Sequence, residues 1–365
     1  MKLECKLEDI KKKIAQVERI TGKNLNLPVI SSILLTAENK SLKLRSTYLS
    51  LGIEAEIPAK IDQEGVLAIS GSVLGGIFSN IFQNENVSLE SVDGNLILQT
   101  KKSKIKLKGQ PHEDFPTIPK VLGINFEIDS KKIMDGIKSV YYSSSISDIK
   151  PEISSVFMYT DEDNLVFVST DSFRLAEKKI KIKGIGEITG ILIPFKNVAE
   201  ILRVFGESTS MIKVCFNKNQ ISFSSEDIYL TSRVIDGVFP NYRLIIPKES
   251  STSAVVLKQD LLNALKLSNI FSDKFNQVNL KINPKEKVFE LSATNNDVGE
   301  NKTFLDAAIS GESVELGFNY KYFLDCFPSI NTDSLSIKLS GPAHPIVISP
   351  VSDSSFTYLI MPMNR

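Results

Sequence analysis

The sequence contains no tryptophan, and among its 365 residues only three are cysteine and two are histidine. Cys5, Cys215 and Cys326 form no CxxC pair, so neither a redox motif nor a zinc site is indicated. We expect free, buried thiols in a reducing compartment. His112 and His344 each adjoin a proline and have no metal-ligand partner at helical spacing. The sequence therefore predicts no metal site.

Long apolar segments are missing as well. No run approaches the roughly 18 residues that a membrane-spanning helix requires. The N-terminal stretch MKLECKLEDIKKK contains acids and lacks the apolar core of a signal peptide. Hydrophobic residues make up 42% and charged residues 24% of the chain, as in soluble globular proteins. We expect a cytoplasmic protein without a membrane partner, and the length predicts two or three domains.

An excess of either charge is also lacking. The 43 Lys and Arg residues balance 43 Asp and Glu residues, whereas most tight DNA-binding proteins are strongly basic. The charge is uneven along the chain: residues 1–120 carry 17 basic and 14 acidic groups, residues 121–248 carry 16 of each, and residues 249–365 carry 10 and 13. Any contact with DNA is therefore expected to involve few phosphates.

Catalytic signatures do not occur in the sequence. The patterns GxxxxGK[ST], HExxH, GxSxG and the EF-hand loop are all absent. The glycines of KGIGEITG do not open a helix after a strand and indicate a turn. Asp161, Glu162 and Asp163 form either a solvated turn or a divalent-cation site. A two-metal nuclease would need several inward carboxylates, and nothing marks such a set, so we expect a non-enzyme without a cofactor.

What the sequence does contain is a threefold internal repeat. The segments SLKLRSTYLSLGIEA, LVFVSTDSFRLAEKKI and VFELSATNNDVGENKTF are similar, and their threonines Thr47, Thr170 and Thr294 lie 123 and 124 residues apart. A second set, EDFPTIPK, GVFPNYRLIIP and TYLIMPMNR, ends each unit at Pro116, Pro240 and Pro362. The repeat either only records gene duplication or builds a tandem array. It predicts three modules, residues 1–120, 121–248 and 249–365.

Two helix-like stretches recur in each module. The first set is LEDIKKKIAQVERI, SKKIMDGIKSVYYS and KQDLLNALKLSNIF, and the second is SVLGGIFSNIF, FKNVAEILRVF and NYKYFLDCF. Leu7, Ile10, Ile14 and Val17 follow helical spacing. Runs such as QVNLKINPKEKVFELSA alternate apolar and polar residues about turn signals and predict strands. Each module is predicted to be α+β, an antiparallel sheet with two amphipathic helices on one face.

Three such modules in tandem can continue one curved surface, with the sheets outside and the helices inside. Two chains can then close as a six-module ring. The first and third modules have net charges of +3 and −3, and this complementarity favours head-to-tail closure.

Basic residues occupy the helix faces opposite the apolar stripes. With about 100° per residue, Lys12 and Arg19 lie opposite Ile10 in the first helix. The same geometry gives a set of eight positions: Lys12, Arg19, Lys23, Lys131, Lys138, Lys196, Arg203 and Lys266. The alternative is an ordinary solvated face. Their common sign, interrupted by Asp135 and Glu200, favours a sparse DNA-facing lining that permits sliding without sequence readout.

The segments TDSFRLAEKK, FPNYRLIIP and MPMNR resemble motifs of the bacterial DNA polymerase III beta subunit, the sliding clamp, which read TDGHRLA, FPDYR and MPMRL. The similarity extends through the whole chain, including LPVISSILL and KPEISSVFM. The resemblance implies three DNA-clamp modules and a head-to-tail homodimeric ring around double-stranded DNA, with no catalytic activity. It implies as partners the DNA polymerase III alpha subunit, a clamp loader and other proteins that carry a clamp-binding motif.

The resemblance also implies a hydrophobic cleft between the second and third modules, where partners dock a short linear motif. By motif position its residues are Lys150, Ile153, Thr170, Ser172, Phe173, Arg174, Leu175, Pro240, Leu244, Ile245, Ala343, Pro345, Leu359, Met361, Pro362, Met363 and Asn364. Apolar Leu, Ile and Met would make an adaptable pocket for a Leu or Phe of the peptide, with Arg174 at the rim. From the residues alone, Leu175, Ile245 and Leu359 are instead ordinary core.

Several cleft positions depart from the family pattern. Ser172 and Phe173 replace Gly-His, Lys150 replaces a frequent Arg, and Leu244 replaces a common Arg. The chain also ends in Asn-Arg rather than Arg-Leu. These changes bear on peptide preference, since Phe173 narrows or deepens the pocket and removes the polar group of a histidine.

For the ring interface, the resemblance implies that Ile105 of the first module packs against Ile270 and Phe271 of the third. Apolar residues exposed at a module edge need a partner, and burial in the monomer core is the alternative. Two other functions stay open: a repeat scaffold that binds peptides without encircling DNA, and a nuclease or other enzyme on a similar sheet. Topological retention on DNA distinguishes a clamp from the first, and metal-dependent turnover would indicate the second.

Overall fold

The structure is a computed structural model, and it describes residues 1–22, 26–81 and 86–363. Within these ranges each predicted module contains two α-helices. They are α1 (Leu7–Val17), α2 (Gly71–Asn80), α3 (Ser130–Lys138), α4 (Phe195–Phe205), α5 (Lys258–Ile270) and α6 (Tyr320–Cys326). Two of the predicted site residues, Lys23 and Asn364, lie outside the described residues.

The strands are short and connected mostly by tight turns. The first thirteen in chain order are β1 (Lys2–Lys6), β2 (Ser32–Glu38), β3 (Ser41–Thr47), β4 (Leu51–Pro58), β5 (Lys60–Gln63), β6 (Gly65–Ser70), β7 (Asn86–Val92), β8 (Asn95–Gln99), β9 (Lys104–Lys108), β10 (Ile124–Asp129), β11 (Ser155–Asp161), β12 (Asn164–Thr170) and β13 (Arg174–Lys181). The remainder are β14 (Ile191–Pro194), β15 (Met211–Phe216), β16 (Gln220–Ser224), β17 (Ile228–Arg233), β18 (Thr252–Leu257), β19 (Gln277–Asn283), β20 (Val288–Asn295), β21 (Gly299–Phe304), β22 (Ala307–Gly311), β23 (Val314–Asn319), β24 (Ser334–Leu339), β25 (Ile346–Pro350) and β26 (Phe356–Ile360).

These strands form four antiparallel sheets. Their orders are β5-β1-β7-β8-β9, then β10-β15-β16-β17-β4-β3-β2-β6, then β14-β11-β12-β13-β26-β25-β24-β18-β22, and finally β21-β20-β19-β23. In the described residues, β9 and β21 are therefore edge strands.

Apolar periodicity explains both kinds of element. In β19 the alternating residues Val278, Leu280 and Ile282 are almost completely buried, as expected for a strand with one face on a core. In α1, Ile10 and Ile14 are at most 1% exposed and the helix packs on β3 and β4. Burying each such side chain contributes about 1.5–3 kcal/mol, so the pattern fixes which face of each element turns inward.

Two sheets continue from one predicted module into the next. β4 pairs with β17, with Gly52 opposite Thr231, and β13 pairs with β26, with Leu175 opposite Leu359. The chain accordingly forms two compact units, Met1–Lys132 with Lys196–Val234 and Ile133–Phe195 with Ile235–Arg365. Each unit contains one module junction, because main-chain hydrogen bonds cross there. The module boundaries themselves stay a prediction of the repeat.

The prediction of antiparallel α+β modules with two helices each is confirmed. One detail of the repeat is wrong. Pro116 and Pro240 follow β9 and β17 by eight and seven residues, whereas Pro362 follows β26 by two. Pro362 is thus not their structural counterpart, because it almost directly follows its strand, whereas Pro116 and Pro240 lie further along a connector. No helix in the described ranges is long and apolar enough to cross a membrane.

Candidate functional site

Most of the basic residues expected to face DNA are exposed. On α1, Ile10 and Ile14 are buried while Lys12 is exposed, and Arg19 is exposed in a 3-10 turn, Glu18–Ile20, that follows the helix. The other exposed members of the set are Lys131, Lys138, Lys196 and Lys266. Lys131, Lys138 and Lys196 belong to helices whose apolar positions are mostly buried, so the apolar stripe determines where the basic face points, whereas α5 around Lys266 also exposes Leu267 and Ile270.

Arg203 differs from the rest of this set, and its expected DNA-facing role does not fit its hydrogen bonds. Its guanidinium donates to the main-chain oxygens of Ala15 and Gln16 at 2.7 and 2.8 Å, and to the Glu200 carboxylate at 2.7 Å. The two carbonyls lie at the C-terminal end of α1, where the helix dipole favours a cation. Arg203 therefore ties α4 to α1, a role that helical periodicity cannot reveal.

Lys13 is a charged residue that does not belong to the exposed basic set. It is 7% exposed and forms an ion pair with Asp227, in the turn between β16 and β17. Its position three residues after Ile10, on the apolar side of α1, is the sequence signal that its ammonium group needs a partner within the protein. Although partial burial acts to raise it, the pKa of Asp227 is lowered by the hydrogen bond and charge of Lys13.

A buried apolar cluster lies at the junction of β13 and β26. Its members are Val166, Val168, Leu175, Leu192, Phe239, Tyr242 and Leu359. Leu175 and Leu359 are 1% and 2% exposed, so they form the floor of this region, as the core alternative expected. Phe239 and Tyr242 belong to the FPNYR segment but were not among the predicted cleft residues. The sequence signal that could have found them is a pair of aromatic residues three positions apart, and the structure buries both on either side of exposed Pro240 and Asn241.

The β12–β13 hairpin shapes one side of this region through its tight turn. The Thr170 hydroxyl donates to the main-chain oxygen of Arg174 at 2.6 Å and accepts from the Ser172 amide at 3.2 Å. Ser172 has a left-handed backbone with φ 79°, which accounts for the glycine at this place in the family motif. The turn leaves the Phe173 side chain 60% exposed, so an aromatic ring is available to a ligand here.

Arg174 is not a free cation at the rim. Its guanidinium donates to Asp171 at 2.9 Å, to Asp325, and to the main-chain oxygen of Tyr142 at 2.7 Å. It also stacks over the Tyr322 ring at 4.7 Å. The side chain is 12% exposed, and it joins the hairpin to α6. Arg174 therefore positions the wall of the cleft and does not present its charge to solvent.

The remaining predicted cleft residues have different environments. Leu244 and Ile245 are 81% and 48% exposed, so the core alternative is wrong for Ile245. Lys150 is exposed and Ile153 half-buried in the turn before β11, two strands from β13 in the same sheet. Pro240 and Ala343 are exposed, and Pro345 is buried directly before β25. The exposed apolar residues thus lie on connectors and turns, with the buried residues on strands between them.

The C-terminal segment joins the hairpin to the third predicted module. The Met361 amide donates to the main-chain oxygen of Phe173, and the Met363 amide donates to that of Gly317, both at 2.8 Å. Met361, Pro362 and Met363 are half-buried. These bonds bring the TDSFRLA and MPM segments together, although nearly 190 residues separate them in the chain.

A polar network underlies the same region. The Tyr242 hydroxyl donates to the buried Glu177 carboxylate and lies 2.6 Å from the Tyr159 hydroxyl. Arg243 donates to Tyr159 and to Asp161 at 2.9 and 2.8 Å. Burial, together with the hydrogen bond to Glu177, raises the pKa of Tyr242 far above its usual value. Tyr242 therefore stays protonated and anchors the connector that bears Leu244.

The predicted interface residues lie at or beside two of the edge strands, β9 and β21. Ile105 is half-buried on β9. Ile270 ends α5 and is 60% exposed, and Phe271 is half-buried beside the start of β21, where a Cβ on Gly299 would lie 3.8 Å from its ring. Val298 and Phe304, at the ends of β21, are 59% and 65% exposed. An edge strand surrounded by exposed apolar side chains is suited to pairing with another chain.

Other candidate chemistry finds little support in the described ranges. Asp161 ends β11 and is paired with Arg243, and Glu162 and Asp163 form the turn that leads into β12. No group of three or more His, Cys, Asp or Glu side chains is arranged to hold a metal in these ranges. The three cysteines are free, two of them buried and Cys215 half-buried. Burial and the nearby Asp9 and Glu4 raise the pKa of the Cys5 thiol to about 12.

Family models match three consecutive parts of the chain. They describe the N-terminal, central and C-terminal domains of the DNA polymerase III beta subunit, and they match residues 1–119, 127–241 and 243–364. Among curated relatives, the beta sliding clamp of Synechococcus elongatus is 28% identical and aligns with 100% of this chain and 99% of its own. The beta sliding clamp of Staphylococcus aureus strain N315 is 25% identical, with 92% of each chain covered.

Solved structures show the same fold. The DNA polymerase III beta subunit of Thermotoga maritima superposes with a TM-score of 0.94 at 24% identity, covering 100% of this chain and 99% of that one. The DNA polymerase sliding clamp of Bacillus subtilis gives a TM-score of 0.94 at 21% identity, with coverage of 100% and 99%.

Proposed function

The chain belongs to the DNA polymerase III beta subunit family, and on that premise we propose that it is a DNA sliding clamp. Two copies form a six-module ring that encircles duplex DNA and tethers the replicative polymerase for processive synthesis, without catalysing a reaction. We propose that it acts in the cytoplasm, in DNA replication. We take the modules to be residues 1–120, 121–248 and 249–365, as the sequence repeat predicts.

The main support for a ring is the strand pairing at the module junctions. Two module junctions are made by strand pairing within the chain, β4 with β17 and β13 with β26. The strands that repeat these pairs at the ends of the chain are β21 of the third module and β9 of the first, and both are edges in the described residues. A second copy supplies the missing pair, so head-to-tail closure uses the same interaction a third time.

The repeat also gives the register of this pair. Gly52 opposes Thr47 within its hairpin and Thr231 across the junction, and Glu300 opposes Thr294 in the third module. Lys106 on β9 corresponds to Thr231, because each lies two residues after the strand pair next to its hairpin turn, Gln99 with Lys104 and Ser224 with Tyr229. We therefore expect Lys106 of one copy opposite Glu300 of the other, where their charges attract.

The DNA-facing surface in this proposal is the exposed basic set of Lys12, Arg19, Lys131, Lys138, Lys196 and Lys266, with Lys23 as a further predicted member. A few separated cations neutralise few phosphates at once. The electrostatic energy between this surface and the DNA therefore changes little as the DNA moves through the ring. This arrangement suits sliding, and encirclement, not phosphate affinity, provides the retention.

Partners of the polymerase, clamp-loader and clamp-binding-motif classes would dock a linear peptide at the β13–β26 junction. The buried floor of Leu175 and Leu359 and the exposed Phe173, Leu244 and Ile245 support this proposal. Apolar anchors of a peptide would cover the exposed side chains, and the hydrogen bonds of Arg174 hold the wall in shape.

The decisive measurement compares retention of the protein on circular and on linear DNA. The protein is loaded onto nicked circular DNA with the host clamp loader, and half of the sample is linearised before gel filtration. We expect retention on the circle and loss from the linear form. Equal retention on both forms would rule out encirclement. Peptide binding without retention on either form would favour the non-DNA scaffold.

A further inference from the structure

The module 1/2 junction repeats the backbone of the peptide cleft. In the β3–β4 turn the Thr47 hydroxyl donates to the main-chain oxygen of Leu51 at 2.8 Å and accepts from the Leu49 amide at 3.0 Å. Thr170 makes the same two bonds in the β12–β13 turn. The connectors also correspond, with FPTIPK after β9 and FPNYRL after β17. One framework therefore occurs at both junctions.

The side chains on that framework differ in size. Gly52 stands where the cleft has Leu175, and Thr231 opposite it stands where the cleft has Leu359. In the connector, Ile118 occupies the place of Tyr242, and a Cβ on Gly52 would lie 3.2 Å from its side chain. The floor residues are therefore smaller at this junction, but Ile118 packs directly over Gly52, so an incoming side chain would meet Ile118 and not the floor itself.

A pocket of about 280 Å³ lies at this junction, lined by Leu49, Ser50, Gly52, Pro116, Ile118 and Arg233 together with their neighbours. Its volume approaches the roughly 300 Å³ at which ligand pockets begin. Leu49 is 47% exposed at its edge, so an apolar contact is open to solvent. The pocket can accommodate one or two compact apolar side chains.

The charge at the pocket is positive. Arg233 is exposed, and no acidic residue is among the described residues that line the pocket. The Arg233 amide is bonded to the Ser50 oxygen at 2.8 Å, but in the described ranges its guanidinium has no hydrogen bond or ion pair. An exposed, unpaired guanidinium beside an apolar pocket attracts a carboxylate.

We propose that the module 1/2 junction is a second docking site, for a linear peptide segment of a partner protein that inserts one compact apolar side chain and places a carboxylate on Arg233. This inference rests on the proposed clamp function, since it takes the other junction as the primary cleft. The second site would give each chain two peptide sites of different preference. The small volume of the pocket favours Val, Pro or Leu, whereas the cleft beside Phe173 and Leu244 takes a larger anchor.

The test uses the absence of tryptophan. Thr117→Trp places a single fluorophore at the pocket, and Asn241→Trp places one at the equivalent exposed position of the cleft. Each full-length variant is titrated with acetyl-pentapeptides that carry Leu, Val or Pro in the centre beside Asp, and with matched peptides that carry Lys. We expect the Asp peptides to shift the fluorescence emission of the tryptophan at position 117. Arg233→Glu should lower the affinity of this binding at least tenfold and leave any peptide binding at the cleft unchanged.

Three outcomes would overturn the second site: no shift at 117 up to about 1 mM peptide, equal shifts with Asp and Lys peptides, or a shift only at 241. Retention of the same variants on circular DNA is measured in parallel. Retention with an empty pocket would reject this inference alone, whereas loss of retention in the unsubstituted protein would reject the clamp itself.

Discussion

Leu49 and Ser172 hold the same left-handed backbone position in two repeats, with φ angles of 75° and 79°. Both turns are closed by the hydroxyl of a threonine two residues earlier. A residue other than glycine is strained there by about 1–2 kcal/mol. The repeated turn therefore imposes the same conformational cost on two different residues.

Ser172→Gly is expected to stabilise the protein by about 0.5–1 kcal/mol, because relief of the strain exceeds the added flexibility of the unfolded chain. Urea or thermal unfolding measures the change. Ser172→Ala is the matched control and should give no gain, since alanine has the same Cβ. A gain with alanine equal to that with glycine would contradict the strain argument.

Arg174→Ala is expected to destabilise the protein by about 2–3 kcal/mol, since it removes the guanidinium that donates to Asp171, Asp325 and the Tyr142 carbonyl. Peptide affinity should fall as well, because the wall of the cleft loses its support. Arg243→Ala is the control. Its side chain is 54% exposed, so its ion pair with Asp161 should be worth less than about 1 kcal/mol. Equal losses in the two variants would show that Arg174 has no special structural role.

Lys106→Cys with Glu300→Cys should form a disulfide between two chains, because opposed residues of antiparallel strands have Cα atoms about 4.5–5.5 Å apart. The offset pair Lys106→Cys with Lys302→Cys is the control, with diagonal Cα atoms about 7–8 Å apart. Non-reducing electrophoresis detects the covalent dimer, and the unsubstituted protein accounts for the three native cysteines. Preferential cross-linking of the offset pair would contradict the register.

Lys12→Glu with Arg19→Glu should weaken loading or sliding on DNA without disturbing the dimer. Loss of one or two phosphate contacts should reduce the salt dependence of DNA association by a slope of about 1–2. Lys285→Glu with Lys287→Glu changes the charge equally on the exposed β19–β20 turn and should have little effect. Loss of the dimer in the first variant, or equal DNA defects in both, would contradict the proposed lining.

The Lys13–Asp227 pair should respond unequally to removal of its two members. Asp227→Asn leaves a buried ammonium group without its charged partner and should cost about 2–3 kcal/mol. Lys13→Met leaves a carboxylate that is 52% exposed and should cost less than about 1 kcal/mol. Unfolding measurements at pH 7 compare the two, and equal costs would contradict the argument.

This pair also predicts a dependence on pH. Lys13 lowers the pKa of Asp227 in the folded protein, so the contribution is present above the ordinary aspartate pKa of about 3.9 and is lost as pH falls through the lowered value. The stability difference between the unsubstituted protein and Asp227→Asn should therefore shrink in that acidic window. A difference that is constant from neutral pH through that window would contradict the linkage.

The sequence by itself determined the repeat, the element types and the buried face of each helix. Ile10 and Ile14 on α1 and the alternation in β19 were predictable because local periodicity alone decides which side chains can reach a core.

Only the tertiary structure decided the partners of these elements. Lys12, Lys13 and Arg203 are all basic residues on helices, but Lys12 is exposed, Lys13 is buried on Asp227 and Arg203 is bonded to α1. Likewise, no local sequence pattern predicts that β4 pairs with β17 and β13 with β26. Nor does such a pattern predict that β9 and β21 are edge strands. A long side chain or a strand edge is satisfied by groups more than a hundred residues away, and periodicity carries no information about those distant groups.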